Sequence, residues 1–331
     1  METSASAPKK RILAGQYEVL EIVGRGASSV VYRARYLERD QSELAIKVLL
    51  NKDSMGAAAN RLRKEALAMV AARHKYTLRL DDFHSLENLH YLTMELAPHS
   101  DLRKFLNELG RTLSSAETER YFQQMAEALS FVHNVGIIHR DLKPDNILVI
   151  NDRQLRLGDF SASLLPGEKS SLEELQRGIG SLDYLAPEVL RGETYGTFSD
   201  VYSLGLTFYE CITGTNPLAS VPIADMLTAR EDENFVPVLT YCPDLNRGVA
   251  AIIMKCISFD PTQRYQSGAE LLKALEQNER ILDFNAPSAN LGMNFNSEAS
   301  STPDISTDLE TQLPPDNAHD EFNFEELFEN I

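Results

Sequence analysis

Cysteine is scarce: Cys211, Cys242 and Cys256 are the only three in 331 residues, far apart and without a CxxC pair. That spacing excludes a disulfide framework and offers no zinc-ligand pattern, so reduced, buried thiols are expected. Long apolar runs are missing as well. Lys9, Lys10 and Arg11 lead into no apolar stretch of the kind a signal sequence needs. Nothing approaches the ~20 apolar residues of a membrane-spanning helix. A cytoplasmic protein with no membrane span is expected. Positive charge is the third shortage. The chain carries 49 acids against 32 bases, and residues 283–331 hold 11 of the acids and no Lys or Arg. The other 38 acids (49 − 11) leave residues 1–282 mildly acidic, without the cation clusters that engage phosphate backbones or anionic lipid, so no nucleic-acid partner is expected.

What is present falls into four stretches. Residues 1–16, rich in Ser, Ala and Lys, read as a flexible lead-in, with order beginning near Tyr17. From Tyr17 to Ala97, runs rich in Val, Ile, Leu and Tyr predict strands over 17–23, 29–37, 43–50, 78–84 and 90–96. One helix interrupts them, with Leu62, Ala66, Met69 and Val70 on a single face. Beyond Ala97 helical periodicity takes over. Ser114 and Glu117 form a capping box, Phe122, Met125, Ala126, Leu129 and Val132 a buried stripe, and Gly136 a C-cap. Further helices are expected over 199–213, stopped by Gly214, and over 267–282, opened by Ser267 and Glu270. The class is therefore α+β, a β-rich lobe over 17–96 followed by a mostly helical one over 97–282. Residues 283–331 hold too few apolar groups to offset ordering entropy and read as an acidic disordered tail. At its end Phe324, Leu327, Phe328 and Ile331 make the stripe of a short amphipathic helix. That segment could dock in a groove of a partner or of this chain, or remain a solvated acidic end.

Four groups of residues carry chemistry. Gly24, Arg25, Gly26, Ala27, Ser28 and Ser29 join two predicted strands, where missing side chains would let backbone N–H groups approach phosphate. Two glycines in a hairpin also simply make a turn. In Ala45-Ile46-Lys47-Val48 a lysine interrupts an apolar strand, and a half-buried ammonium needs a partner, for which Glu65 is the candidate. The plainer alternative has Lys47 extending off an edge strand and Glu65 pairing with Arg61. Ile138 to Asn146, read IHRDLKPDN, places a base, a cation and a metal ligand in one loop before the apolar run Ile147–Ile150. Asp141 can accept or orient a hydroxyl proton, Lys143 can neutralise a moving phosphoryl group, and Asn146 can hold magnesium. Asp159, in Leu157-Gly158-Asp159-Phe160-Ser161, supplies a metal carboxylate 18 residues after Asp141. Together these are the parts that phosphoryl transfer from ATP with Mg2+ requires.

The chain at this point resembles the eukaryotic-like (Hanks-type) protein kinase superfamily, from about Tyr17 to about Leu282. Ala186-Pro187-Glu188, the Ser199–Gly205 run and Asp260-Pro261-Thr262-Gln263-Arg264 match its later motifs, with Tyr202 where Trp is common. The resemblance implies a bilobal kinase fold and an Arg264–Glu188 pair. It makes Met94 the gatekeeper, Glu95 and Ala97 the adenine-binding hinge, and Asp101 the ribose contact. Val31, Ala45 and Leu148 would sandwich adenine, and Leu80, Met69, His139 and Phe160 would form the stacked spine.

Lys143 and Gly180-Ser181 resemble the Ser/Thr class, which implies serine and threonine residues of protein substrates as acceptors. Arg140 implies control by a phosphorylated activation loop, with Ser170 and Ser171 as acceptors and Ser163 behind them. Two departures are Ser161, where the family carries glycine after Asp-Phe, and Ser29, at the third glycine of the loop. Neither removes a catalytic group, so an active, non-specific serine/threonine kinase is expected. The competing reading is a pseudokinase that binds partners without transfer. A small-molecule phosphotransferase fits less well, because those relatives typically lack the Ala-Pro-Glu segment and its Arg partner.

Overall fold

The computed structural model describes residues 11–285 apart from 27–28, 39–41, 51–56, 87–88, 169–180, 220 and 232–234. The tail from 286 onward, with the segment 324–331, lies outside the described residues, as do Ala27, Ser28, Ser170 and Ser171.

The first lobe is one six-stranded antiparallel sheet. Its strands are β1 (Arg11–Leu13), β2 (Tyr17–Arg25), β3 (Ser29–Tyr36), β4 (Glu43–Leu49), β5 (Leu80–Leu86) and β6 (Leu89–Met94), in the order β1-β2-β3-β4-β6-β5. β1 was not expected. Arg11, Ile12 and Leu13 pair with Val19, Glu18 and Tyr17, so order begins ahead of Tyr17. Residues of alternating parity fill the two faces. Tyr17, Ala34, Leu44, Ile46, Val48 and Tyr91 form a small cluster on one side, while Ala45, Leu92 and Met94 join the main core on the other.

Against that second face packs α1 (Ala57–Ala71), burying Leu62, Ala66 and Met69 as its periodicity predicts; Val70 sits at the margin, half-buried.

The second lobe is helical. It comprises α2 (Leu102–Leu109), α3 (Ser115–Asn134), the hairpin of β7 (Ile147–Asn151) and β8 (Gln154–Leu157), α4 (Pro187–Leu190), α5 (Thr197–Thr213), α6 (Met226–Glu231), α7 (Arg247–Cys256) and α8 (Gly268–Asn285). α3 opens on the expected box: Ser114 Oγ accepts from the Glu117 N–H, and Glu117 Oε2 accepts from the Ser114 N–H at 2.9 Å. Phe122, Met125, Ala126, Leu129 and Val132 are all buried. Full burial of a side chain like Phe122 contributes roughly 1.5–3 kcal/mol, so such a stripe outweighs helix propensity in holding α3.

Gly136 and Gly214, at φ +79° each, take the left-handed turns that end α3 and α5. The box expected at Ser267 forms on one side only: its hydroxyl accepts from Glu270 N–H, but the Glu270 carboxylate turns to the Gln266 N–H. α5 is buried on every turn, and at Gly205 a Cβ would lie 2.5 Å from that of Cys256. The glycine lets α7 approach closely.

Candidate active site

β2 and β3 close the glycine-bearing turn by pairing Gly24 with Val31 and Arg25 with Val30, and the Gly26 N–H donates to the Ser29 carbonyl at 2.8 Å. Ser29 is buried and pairs with Leu49, so its side chain belongs to the sheet rather than to the open turn. Lys47 lies on β4 between Val31 of β3 and Leu92 of β6. That is an interior strand, which removes the edge-strand alternative. Its Nζ stands 2.6 Å from Glu65 Oε1 and 3.2 Å from Asp159 Oδ1. Glu65 faces inward from α1 while Arg61 is exposed, so the Arg61 pairing does not form. Burial opposes the Lys47 charge, but the carboxylates of Glu65 and Asp159 outweigh it and hold the ammonium above its ordinary pKa. Burial pushes the Glu65 carboxyl up, with Lys47 pulling against it. Burial also acts to raise Asp159, yet Lys47 and the Ser161 side chain hold it well below the usual carboxylate range.

The loop after α3 is held from below by one carboxylate. Asp200, fully buried on α5, accepts the His139 N–H at 2.7 Å and the Arg140 N–H at 2.8 Å. Arg140 sits at φ +69°, a left-handed conformation costly for a non-glycine residue and here fixed by those two bonds. His133 Nδ1 accepts from the Gly268 N–H, which leaves its Nε2–H to donate to Asp200 at 3.0 Å. In the loop, Asp141 Oδ2 accepts from Lys143 Nζ and Asn146 Nδ2, each at 2.8 Å, and Oδ1 accepts from the Ser181 N–H at 3.1 Å. Lys143 also donates to Ser181 Oγ at 2.9 Å.

Asn146 spends its amide N–H groups on Asp141, and its Oδ1 has no bond among the described residues. Asp159 adopts φ +52° at the turn after β8, which aims its carboxylate at Lys47. The His139 ring meets Phe160 edge-on at 5.0 Å between centroids, and Met69, Phe160 and Leu80 border the same core. The Arg140 guanidinium donates through Nε to the Ala162 carbonyl. Ser163 is buried, so in this conformation its hydroxyl is not available as a phosphate acceptor.

Between the lobes, Met94 pairs with Ala45, and both join the core that Val31 and Leu148 border. The Glu95 N–H is used by the Arg79 carbonyl at 3.0 Å, but the Glu95 carbonyl and Ala97 N–H have no partner among the described residues. Asp101 caps α2 by accepting the Lys104 N–H at 2.9 Å and pairs with Lys104 Nζ at 2.8 Å, a structural task that residue spacing alone did not assign to it. The segment is tied to β7 through Asp101 and Leu148.

A cavity of about 310 Å³ opens beside Lys143 and Ser181, bordered also by Arg103, Asp145, Asp183, Tyr184 and Glu210. Arg103 donates to Asp145 at 2.9 Å and to Glu210 and the Tyr184 hydroxyl by short contacts. Sequence reasoning missed this network and Asp200. The available signal was an acid set in an apolar helix, since Asp200 and Glu210 both interrupt the run of α5 and a buried carboxylate needs donors.

Magnesium and ATP suit these donors. Among the described residues no three or more His, Cys, Asp or Glu gather into a self-contained metal site. Asp159 and the free Oδ1 of Asn146 instead supply two hard oxygens, the usual protein share where phosphates and water complete the shell.

A protein kinase domain profile matches residues 17–275, and the chain belongs to that family. It is similar to CBL-interacting protein kinase 4 of Oryza sativa subsp. japonica, 37% identical over 218 residues, covering 65% of this chain and 48% of that protein. Serine/threonine-protein kinase PknB of Mycolicibacterium smegmatis is 34% identical over 269 residues, 78% of this chain and 42% of the relative. Probable serine/threonine-protein kinase PknB of Lactococcus lactis subsp. lactis is 27% identical over 263 residues, 79% and 42% respectively. The chain thus spans less than half the length of these curated relatives. Among the described residues no helix is long and apolar enough to cross a membrane.

Proposed function

We propose that the chain is a protein serine/threonine kinase that moves the γ-phosphoryl group of ATP to Ser or Thr hydroxyls of protein substrates. The observation that carries this is the bonded set of Asp141, Lys143, Asn146 and Ser181 on one side and Lys47, Glu65 and Asp159 on the other. Asp141, fixed from three directions, orients the acceptor hydroxyl and takes its proton. Lys143, two residues away and already bonded to Asp141, neutralises charge on the moving group. Lys47 is aimed at the α and β phosphates by Glu65, and the turn that opens at Gly24 covers them.

The Glu95 carbonyl and Ala97 N–H receive adenine between Val31, Ala45, Met94 and Leu148, and Asp101 meets the ribose. Asn146 and Asp159 hold magnesium, which when bound screens the phosphate charge. Two of the relatives above carry the name serine/threonine-protein kinase, which supports the acceptor class. Nothing favours a pseudokinase, because every catalytic group is present. Autophosphorylation at Ser170 or Ser171 and a docking role for 324–331 are part of the proposal and await tests. So does a cytoplasmic location, for which the three free thiols speak.

Purified chain with Mg2+ and γ-labelled ATP is expected to label serine and threonine in itself or in an added protein. Asp141→Asn should lower that rate by about 10²–10⁴. An Asp141→Asn protein as active as wild type would overturn the assignment.

A further inference from the structure

Arg230, on α6, is a cation with no part in the chemistry above. It is 1% exposed, and no carboxylate bonds it among the described residues. Its donors go to three neutral carbonyls: Nε to Leu185 at 3.0 Å, Nη2 to Leu182 at 2.9 Å and Nη1 to Met226 at 2.9 Å. Burial lowers its pKa, and Tyr202 and Asp183 pull weakly the other way. A guanidinium sealed from water against carbonyls and the Tyr202 side chain, with no bonded carboxylate among the described residues, is a poor way to fill space, and an aliphatic side chain would avoid the desolvation. What arginine adds is a planar fork of aimed N–H groups.

The fork grips a specific piece of backbone. Leu182 and Leu185 are the two ends of the turn over 182–184, and the residue just before it, Ser181, bonds both Asp141 and Lys143. Asp183 and Tyr184 of the turn border the cavity beside Lys143, and Ser203 Oγ donates to the Tyr184 carbonyl at 2.8 Å. α6 and the wall of that cavity are therefore joined by one side chain. We propose that Arg230 is a positioning residue for the protein acceptor. By fixing the Leu182–Leu185 turn it sets the wall along which the acceptor chain lies. The inference rests on the kinase reading and names the part of the site that selects and orients its protein substrate.

The test compares wild type, Arg230→Met and Arg230→Lys as full chains. Amide exchange read by mass spectrometry reports the turn itself: Arg230→Met is expected to speed exchange across 181–185 by about tenfold or more, with β2 to β4 at wild-type rates. Arg230→Lys should fall between, and it carries the test alone if the methionine variant does not fold. Transfer to a degenerate Ser/Thr peptide library is expected to lose about tenfold or more in kcat/KM, while KM for ATP and hydrolysis of ATP by water stay within about twofold. Unchanged exchange, or equal loss in both reactions, overturns the proposal. A wild-type chain that phosphorylates no peptide overturns the kinase reading instead, and the exchange rates still decide whether Arg230 holds the turn.

Discussion

Among the described residues both lobes hold a buried lysine or arginine paired with a carboxylate, and the two cases are wired differently. In the helical lobe Arg264 and Glu188 meet through parallel bonds of 2.9 and 3.0 Å with both side chains sealed from solvent. Arg264 also donates through Nε to the Ser258 carbonyl and through Nη2 to the Phe259 carbonyl, and Glu188 also accepts from Ser199. In the β-rich lobe Lys47 divides one ammonium between Glu65 at 2.6 Å and Asp159 at 3.2 Å, on two other elements of the chain. The first arrangement is saturated and can only be broken. The second keeps an adjustable charge at the mouth of the cleft, the arrangement a site needs if a triphosphate is to enter. Buried charge is thus tied off in one place and, on the kinase proposal, left to act on the nucleotide in the other.

The comparison can be broken hardest at Arg264. Arg264→Met strands Glu188 inside the protein and is expected to cost about 3–5 kcal/mol, read from the urea midpoint. If Glu188→Gln restores little in the double variant, the pair is not the cause. Lys47→Met should show the opposite profile, with phosphoryl transfer down by about 10²–10³. Its stability loss should be smaller than that of Arg264→Met, because Glu65, already raised by burial, can take up a proton. A variant that kept its activity would make Lys47 merely structural.

The smallest effect belongs to a pair near the surface, Arg111 with Glu117, at 2.7 Å. Glu117→Gln is expected to cost about 1 kcal/mol through the α3 cap. Hydrogen bonds from Arg111 and Ser114 lower the Glu117 pKa from 4.5 to about 2. A depressed folded pKa stabilises above the unfolded value and fades as pH falls through the folded one. The gap between wild type and Glu117→Gln should therefore be full at neutral pH, shrink as pH drops below 4.5 and close near 2. Melting curves across that range check the sign.

Much of the architecture was legible because local signals agreed with it. Runs rich in Val, Ile, Leu and Tyr marked β2 to β6, and the Ser114 box with its apolar stripe marked α3. β1 escaped because three residues after a Lys-rich lead carry no period, and only their pairing with Tyr17 to Val19 makes them a strand. α2 was hidden for another reason: Asp101 was read for its resemblance to a ribose contact, while its N-cap geometry and Gly110 at φ +61° are what start and stop the helix. At the candidate site, Lys47 and Glu65 could be paired on paper because a charge inside an apolar strand demands a partner. The bonds from Asp200 to the 139–140 backbone and from Arg230 to the 182–185 turn join residues 45 to 61 positions apart, and no local pattern encodes them.

The Asp200 carboxylate has one more consequence. It takes the His139 and Arg140 N–H groups and the His133 ring while sitting on a helix that is buried on every turn. The loop that carries Asp141 is thus bolted to the interior of the helical lobe, whereas Lys47 rides on the sheet and meets that lobe through Asp159. A displacement of β4 would tell first on the 3.2 Å contact between Lys47 and Asp159 and leave the backbone beneath Asp141 held.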